Sequence, residues 1–283
     1  MRTRGTRGLT FRALAVGLAA SAALTACGVA GASGSSVATK DKLIIGVYAD
    51  QPGLGRLSGS TYQGFDIEIA KQIAKFMHVK TVEFKTITAD NREGKLQKGE
   101  VDLVVGSYSI TPDRKTKVSF AGPYYVAHQS ILVRASDAAQ VTDVHHLAGR
   151  RVCRVKKSVS FPRVQKERGV PVVPVDATGY NDCLTKLVAK QLDAVSTDDL
   201  ILAGLYAENA REGGPALKLV KTSFSDEPYG VGIKQGDVDG CEAVNKAITQ
   251  MYQQNIPGRL LQVQFGSSDL DFTWTVPQFE GCE

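Results

Sequence analysis

Val101–Tyr125, VDLVVGSYSITPDRKTKVSFAGPYY, is the stretch from which the fold can be read. Val101, Leu103, Val104 and Val105 form a short apolar run, the pattern of a strand buried on both faces. The run breaks into Gly106-Ser107-Tyr108-Ser109, where hydroxyls stand at the place a core strand would have ended. Thr111-Pro112 follows, an N-cap residue with proline at the first helical position, and Arg114 falls in that first turn. A strand end, free hydroxyls, a helix N-terminus and a forked guanidinium therefore converge, which is a donor set suited to one carboxylate. Taken alone, the stretch also fits an ordinary strand–turn–helix whose Arg114 is a solvated surface charge. The flanking sequence decides between the two.

The chain has 283 residues, enough to bury a full core and more in keeping with two lobes than one. Its net charge of +5 is concentrated at the start, where residues 1–26 hold Arg2, Arg4, Arg7 and Arg12 and no acid. With those four set aside from the 34 basic residues, 30 face 29 acidic ones, so the remainder is close to neutral. A neutral body lacks the electrostatic footprint of a nucleic-acid binder.

The basic start and the apolar segment Ala13–Leu24 read as a secretion signal, too short for a spanning helix. It ends in Leu24-Thr25-Ala26-Cys27, which resembles a bacterial lipobox; that resemblance implies acylation of Cys27 as the mature N-terminus, with a plain cleavable signal as the alternative. Residues 28–40 are rich in Gly, Ala and Ser without periodicity, a tether with a reach of roughly 20 Å. No later segment is apolar enough to span, so the lipid is the expected anchor, on the extracytoplasmic face of the membrane.

Cys153, Cys183, Cys241 and Cys282 remain, an even count that in an exported chain points to disulfides with three possible pairings. Cys153–Cys183 with Cys241–Cys282 is favoured, because each then closes a loop within one predicted lobe, stabilising it by roughly 3–4 kcal/mol. No Cys pair has metal-ligand spacing, and neighbouring His145 and His146 read as a solvated loop, so neither a metal nor a cofactor is expected.

In chain order, Lys42–Tyr48 is a strand and Asp50 to Gly64 a loop long enough to line a cleft. Phe65–Met77 is a helix with Phe65, Ile69, Ile73 and Met77 on one face. Val82–Ile87 is a strand, Asn91–Lys98 a helix, and Ser130–Arg134 a strand. Such alternation argues for a mainly parallel sheet with helices on both faces, and ligands bind beyond the carboxyl ends of its strands, where Ser107 and Ser109 fall. Near residue 135 the grammar restarts: strands at Arg151–Val155, Val170–Val175, Leu192–Ser196 and Leu217–Val220. Between them come helices from Ser160, from a Thr178 cap to Gln191, and from Asp198 to about Glu208. Helices near Val238–Gln254 and Pro257–Phe265 close the chain, and its tail is expected to pack back on the first lobe.

Several segments, in the right order over residues 41–283, resemble the family 3 extracellular solute-binding proteins, the polar amino acid receptors of ABC importers. They are Gly64-Phe65-Asp66-Ile67-Glu68-Ile69, Ser109-Ile110-Thr111-Pro112-Asp113-Arg114, and Phe120-Ala121-Gly122-Pro123-Tyr124-Tyr125. Asp50-Gln51-Pro52-Gly53 and Thr197-Asp198-Asp199-Leu200-Ile201-Leu202 look like the actinobacterial glutamate-binding branch, which the two cysteine pairs also match. The resemblance implies an α/β, two-lobed periplasmic-binding-protein type II (Venus flytrap) fold with two hinge strands, crossing near Val126–Arg134 and Tyr229–Ile233. Lobe 1 is then 41–130 plus 230–283, and lobe 2 is 131–229.

It also implies roles. Arg114, with Ser107 and Ser109, sits where the family holds the α-carboxylate, and Asp198 where it binds the α-ammonium; as a residue alone, Asp198 also reads as a simple N-cap. Arg92 matches a position where acidic-amino-acid receptors set a second Arg against the distal carboxylate, the alternative being a solvated helix Arg. Ser158 and Ser160 stand where the second lobe offers hydroxyls and N–H groups, and Asp50 and Tyr108 are placed in the cleft lining. Lys156-Lys157-Ser158-Val159-Ser160 departs from the branch, which has a Gly-containing Thr/Ser run there; the two lysines either charge the cleft or point to solvent.

The function so implied is capture of glutamate or aspartate first, glutamine or asparagine next, by a monomer that delivers it to a membrane permease without chemistry. Two alternatives share the scaffold: a sensor reporting to a membrane signalling protein, and a cyclohexadienyl dehydratase-like enzyme, for which a general acid is needed.

Overall fold

The computed structural model describes residues 36–268, 270 and 275–282, so the expected signal segment and Cys27 lie outside the described residues. Among these residues no helix is long and apolar enough to cross a membrane, and no group of metal-ligating side chains is assembled.

The first lobe starts with β1 (Lys42–Val47), then β2 (Asp50–Gln51), β3 (Gly55–Ser58), β4 (Thr61–Gln63), α1 (Phe65–Phe76) and β5 (Thr81–Thr86). The loop expected after Asp50 is instead a small antiparallel meander, β2-β3-β4. Next come α2 (Arg92–Gln97), β6 (Leu103–Val104), the single turn α3 (Pro112–Lys115) and β7 (Ser119–Arg134). The apolar run of the opening stretch yields only two strand residues, though Val101 to Val105 holds four fully enclosed apolar side chains.

Then follow β8 (Arg151–Val155), α4 (Ser160–Pro162), β9 (Val173–Ala177), α5 (Tyr180–Val188), β10 (Val195–Asp198), α6 (Asp199–Arg211), β11 (Leu217–Val220), β12 (Asp226–Ile233), α7 (Val238–Gln253) and α8 (Ile256–Phe265). The helix expected from a Thr178 cap is shorter at both ends: Gly179 is the N-cap, and Thr178 donates through its N–H to Asp182 at 3.0 Å. His145 and His146 lie in an exposed single turn.

The sheet is mixed, not mainly parallel. β6-β1-β5 and β8-β9 are parallel, but β12, β10 and β11 all run antiparallel to β7. The 16-residue β7 runs from Ser119 and is longer than its expected Ser130–Arg134 segment, continuing through Gly122-Pro123. β7 pairs with β12 from Ser119 to His128 and with β10 and β11 from Gln129 to Arg134. One strand thus leaves the first lobe's sheet and enters the second's, with β12 returning beside it. That is the geometry of a two-strand hinge.

The disulfides are Cys153–Cys183, joining β8 to α5, and Cys241–Cys282, joining α7 to the tail. Glu280 N–H donates to the Gly122 carbonyl at 2.8 Å, so the described part of the tail packs against β7.

Candidate functional site

Arg114 is aimed by the turn that carries it. Thr111 accepts from the Arg114 N–H at 3.3 Å and Pro112 pre-sets the backbone, so α3 starts at that point. Arg114 is 4% exposed, and its guanidinium donates to two carbonyls, Ser109 at 2.6 Å and, across the cleft, Lys157 at 3.2 Å. Burial, then the charge of Arg92, pulls its pKa down to about 10. Arg92, at the start of α2, is equally enclosed; it donates to the Tyr48 hydroxyl at 3.1 Å, and its Nε has no partner among the described residues. Neither guanidinium makes an ion pair among those residues, although two such cations in one enclosed space repel each other.

Asp198 ends β10, opposite Gln129 of β7. It is the N-cap residue of α6, yet its side chain makes no cap bond. Oδ2 instead accepts from the Tyr229 hydroxyl at 2.7 Å, and the buried Oδ1 has no partner among the described residues. Burial first, and the neighbouring Glu227 carboxylate second, raise its pKa to about 8. The reading of Asp198 as a simple cap is therefore excluded.

Ser158 and Ser160 belong to a hydroxyl network: Tyr180 Oη lies 2.8 Å from Ser158 Oγ and 2.9 Å from Ser160 Oγ, and Ser160 Oγ lies 2.9 Å from Thr197 Oγ1. Ser107 takes a positive φ of 37°, donates through its N–H to Asp66 at 2.9 Å, and through its hydroxyl to Gln51 at 2.9 Å.

Seven of the expected residues meet in one crevice: Arg92, Ser107, Ser109, Arg114, Ser158, Ser160 and Asp198. Two, Tyr108 and Asp50, do not; for Asp50, which lies in β2, the reason is strand alternation. Ser107 and Ser109 reach the crevice, while Tyr108 between them turns inward into the space beside Gly232, fully enclosed, with its ring 4.7 Å from that of Phe120. Gln51 is buried against Ser107, so Asp50 turns outward and stands against Gly179, where an added Cβ would meet its carboxylate at 2.1 Å. Tyr48, Gln51 and Tyr180 line the crevice without having been foreseen. Alternation on from β1 marks Tyr48, but nothing local marks Tyr180, which arrives through the fold of α5.

About 20 Å³ is free inside, room for about one water and less than an amino acid needs. Two roomier hollows, of about 570 and 810 Å³, lie at the flanks. Their acids are already paired: Glu208 with Arg56 and Arg211, Asp90 with Lys156, Asp176 with Arg154, and Asp182 with Lys186. Of the three hollows, only the small crevice has, among the described residues, buried charges that lack counter-ions.

Two lobes, a two-strand hinge and a crevice bearing opposite charges define a binding protein for a small charged molecule. The chain belongs to the bacterial extracellular solute-binding proteins, family 3, whose pattern matches residues 43–266. It is 33% identical over 244 residues to the ABC transporter glutamine-binding protein GlnH of Bacillus subtilis, covering 81% of this chain and 86% of that one. To the glutamate-binding protein GluB of Corynebacterium glutamicum it is 32% identical over 259 residues, covering 87% of each. Among solved structures, an ancestral arginine-binding protein bound to arginine matches with a TM-score of 0.73 and 30% identity, over 80% of this chain and 99% of that one. The ancestral amino acid-binding protein AncCDT-1, a precursor of cyclohexadienyl dehydratase, matches at 0.70 and 28%, over 80% and 95%.

Proposed function

We propose that the protein captures an acidic amino acid, glutamate or aspartate, and delivers it to the permease of an ABC importer. One observation carries the ligand class: the crevice sets two buried, unpaired guanidiniums, Arg92 and Arg114, against one carboxylate with a free oxygen, Asp198. A buried charge needs a partner. A ligand with two carboxylates and one ammonium supplies a partner to each; glutamine leaves one guanidinium unmatched, and arginine adds a third. In this reading Arg114 with Ser107 and Ser109 takes the α-carboxylate, Asp198 the ammonium, Arg92 the distal carboxylate, and Ser158 and Ser160 complete the second wall. The relatives named for glutamine and glutamate support an amino acid ligand, and the charge balance favours an acidic one.

Lobe 1 is assigned to 41–130 plus 230–283 and lobe 2 to 131–229. Acylation of Cys27 would hold this monomer at the membrane, and loss of membrane association in Cys27→Ala tests that. Titration calorimetry of ligand-free protein with the twenty amino acids tests the main reading. Glutamate or aspartate is expected to bind with a Kd on the micromolar scale, about −8 kcal/mol, glutamine more weakly and arginine not at all. Preference for arginine, or no heat with any amino acid, overturns it.

A dehydratase reading draws on Asp198, whose pKa burial raises to about 8, as suits a general acid at neutral pH. Turnover of a cyclohexadienyl substrate would favour it over pure binding.

A further inference from the structure

We propose that Tyr108, which never touches the crevice, is the positioning residue that sets this site's preference for two carboxylates over one. The inference rests on the acidic-amino-acid reading above.

Two guanidiniums share the ring of Tyr108. Arg92 Cζ lies 3.7 Å from its centroid and Arg114 Cζ 5.0 Å. The negative face of an aromatic ring attracts a cation, most strongly where water is excluded. Both arginines are nearly inaccessible and the tyrosine wholly so. The ring is itself held fixed. Its edge meets Phe120 at an interplanar angle of 67°, and its hydroxyl donates to Glu93 at 3.4 Å. Gly232 backs it so closely that an added Cβ would stand 2.9 Å from Cε1. A bulky aromatic between two serines is therefore not a stray core residue. It holds two repelling cations near one another without neutralising either, where a carboxylate in its place would satisfy them and remove the demand for an anionic ligand.

The consequence is specific. Loss of the ring face frees Arg92 to rotate away from Arg114, so the distal carboxylate loses its partner while the α-carboxylate and ammonium grips persist. Discrimination between glutamate and glutamine falls before binding itself does.

The experiment compares Tyr108→Phe and Tyr108→Met with the unmodified protein, titrating each with L-glutamate and L-glutamine after thermal melting confirms folding. Tyr108→Phe keeps the ring face and is expected to keep the glutamate-to-glutamine affinity ratio within twofold. Tyr108→Met fills similar space with no aromatic face and is expected to lower that ratio at least tenfold, with glutamine affinity changed less than threefold. Should Tyr108→Met not fold, fluorinated phenylalanines at position 108 withdraw charge from the ring face with little change of shape, and a stepwise fall of the ratio with fluorination is expected. Equal weakening of both ligands, or an unchanged ratio in the methionine or fluorinated variants, overturns the proposal while leaving the functional reading intact. An unmodified protein that does not bind glutamate overturns both.

Discussion

Arg114 gives its hydrogen bonds to two backbone carbonyls and faces a second guanidinium, an arrangement that holds its position without neutralising it. Arg114→Ala should leave a bound α-carboxylate buried and unpaired, which costs about 3 kcal/mol. Calorimetry is then expected to show Kd raised by about two orders of magnitude, with the melting temperature little lowered. Asp198 carries the pH response. Its pKa is raised to about 8 by burial and by Glu227, with Asp199 adding to the rise and Tyr229 and Arg114 opposing it. Below that pH the free protein holds a proton there, and an ammonium can pair with Asp198 only once the proton has left. Affinity should therefore rise with pH from about 5 to about 8, with proton uptake by the buffer on binding. Titrations at pH 6.5 in buffers of different ionisation enthalpy check this, and Asp198→Asn should lose both the proton release and most of the affinity.

At the scale of elements, the turn α3 was legible because Thr111 and Pro112 act locally, through one cap and one fixed dihedral. α1 was legible from periodicity, and α7 and α8 lie where helices near Val238–Gln254 and Pro257–Phe265 were expected. The length of β7 was not, since its pairing with β12 resumes on either side of Gly122 and Pro123, where the register shifts, and that partner strand is distant in sequence. Nor was the inward face of Tyr108, where the space beside Gly232 decides. The departure at Lys156-Lys157 also needed three dimensions. Lys157, at φ 62°, points its carbonyl at Arg114 across the cleft, and Lys156 pairs with Asp90 at 2.9 Å at the mouth. The lysines serve the seam between lobes more than the crevice. The Lys156–Asp90 pair is largely exposed, so it contributes at most about 1 kcal/mol. Lys156→Ala is expected to weaken ligand binding less than about fivefold, and the difference should vanish in high salt.

For the molecule as a whole, the crevice is too small to admit a ligand as it stands, so binding must be linked to parting and closing about β7 and β12. Closure is a two-state equilibrium that a ligand biases by touching both lobes. The seam between the lobes shows where that equilibrium can be tilted without touching the crevice. Gly204, inside α6, packs so tightly on the first lobe that an added Cβ would stand 1.8 Å from the Pro52 carbonyl oxygen. Backbone cannot yield as a flexible side chain does. Alanine inside a helix is, by contrast, favoured over glycine by roughly 0.5–1 kcal/mol. Gly204→Ala should thus hold the melting temperature of the free protein or raise it slightly, while forbidding full closure. Small-angle scattering is expected to show unmodified protein compacting on ligand addition and the variant failing to do so, with affinity at least about tenfold weaker. A variant that closes and binds like the parent would show that α6 and the Pro52 segment move together as one body, and that the hinge lies elsewhere.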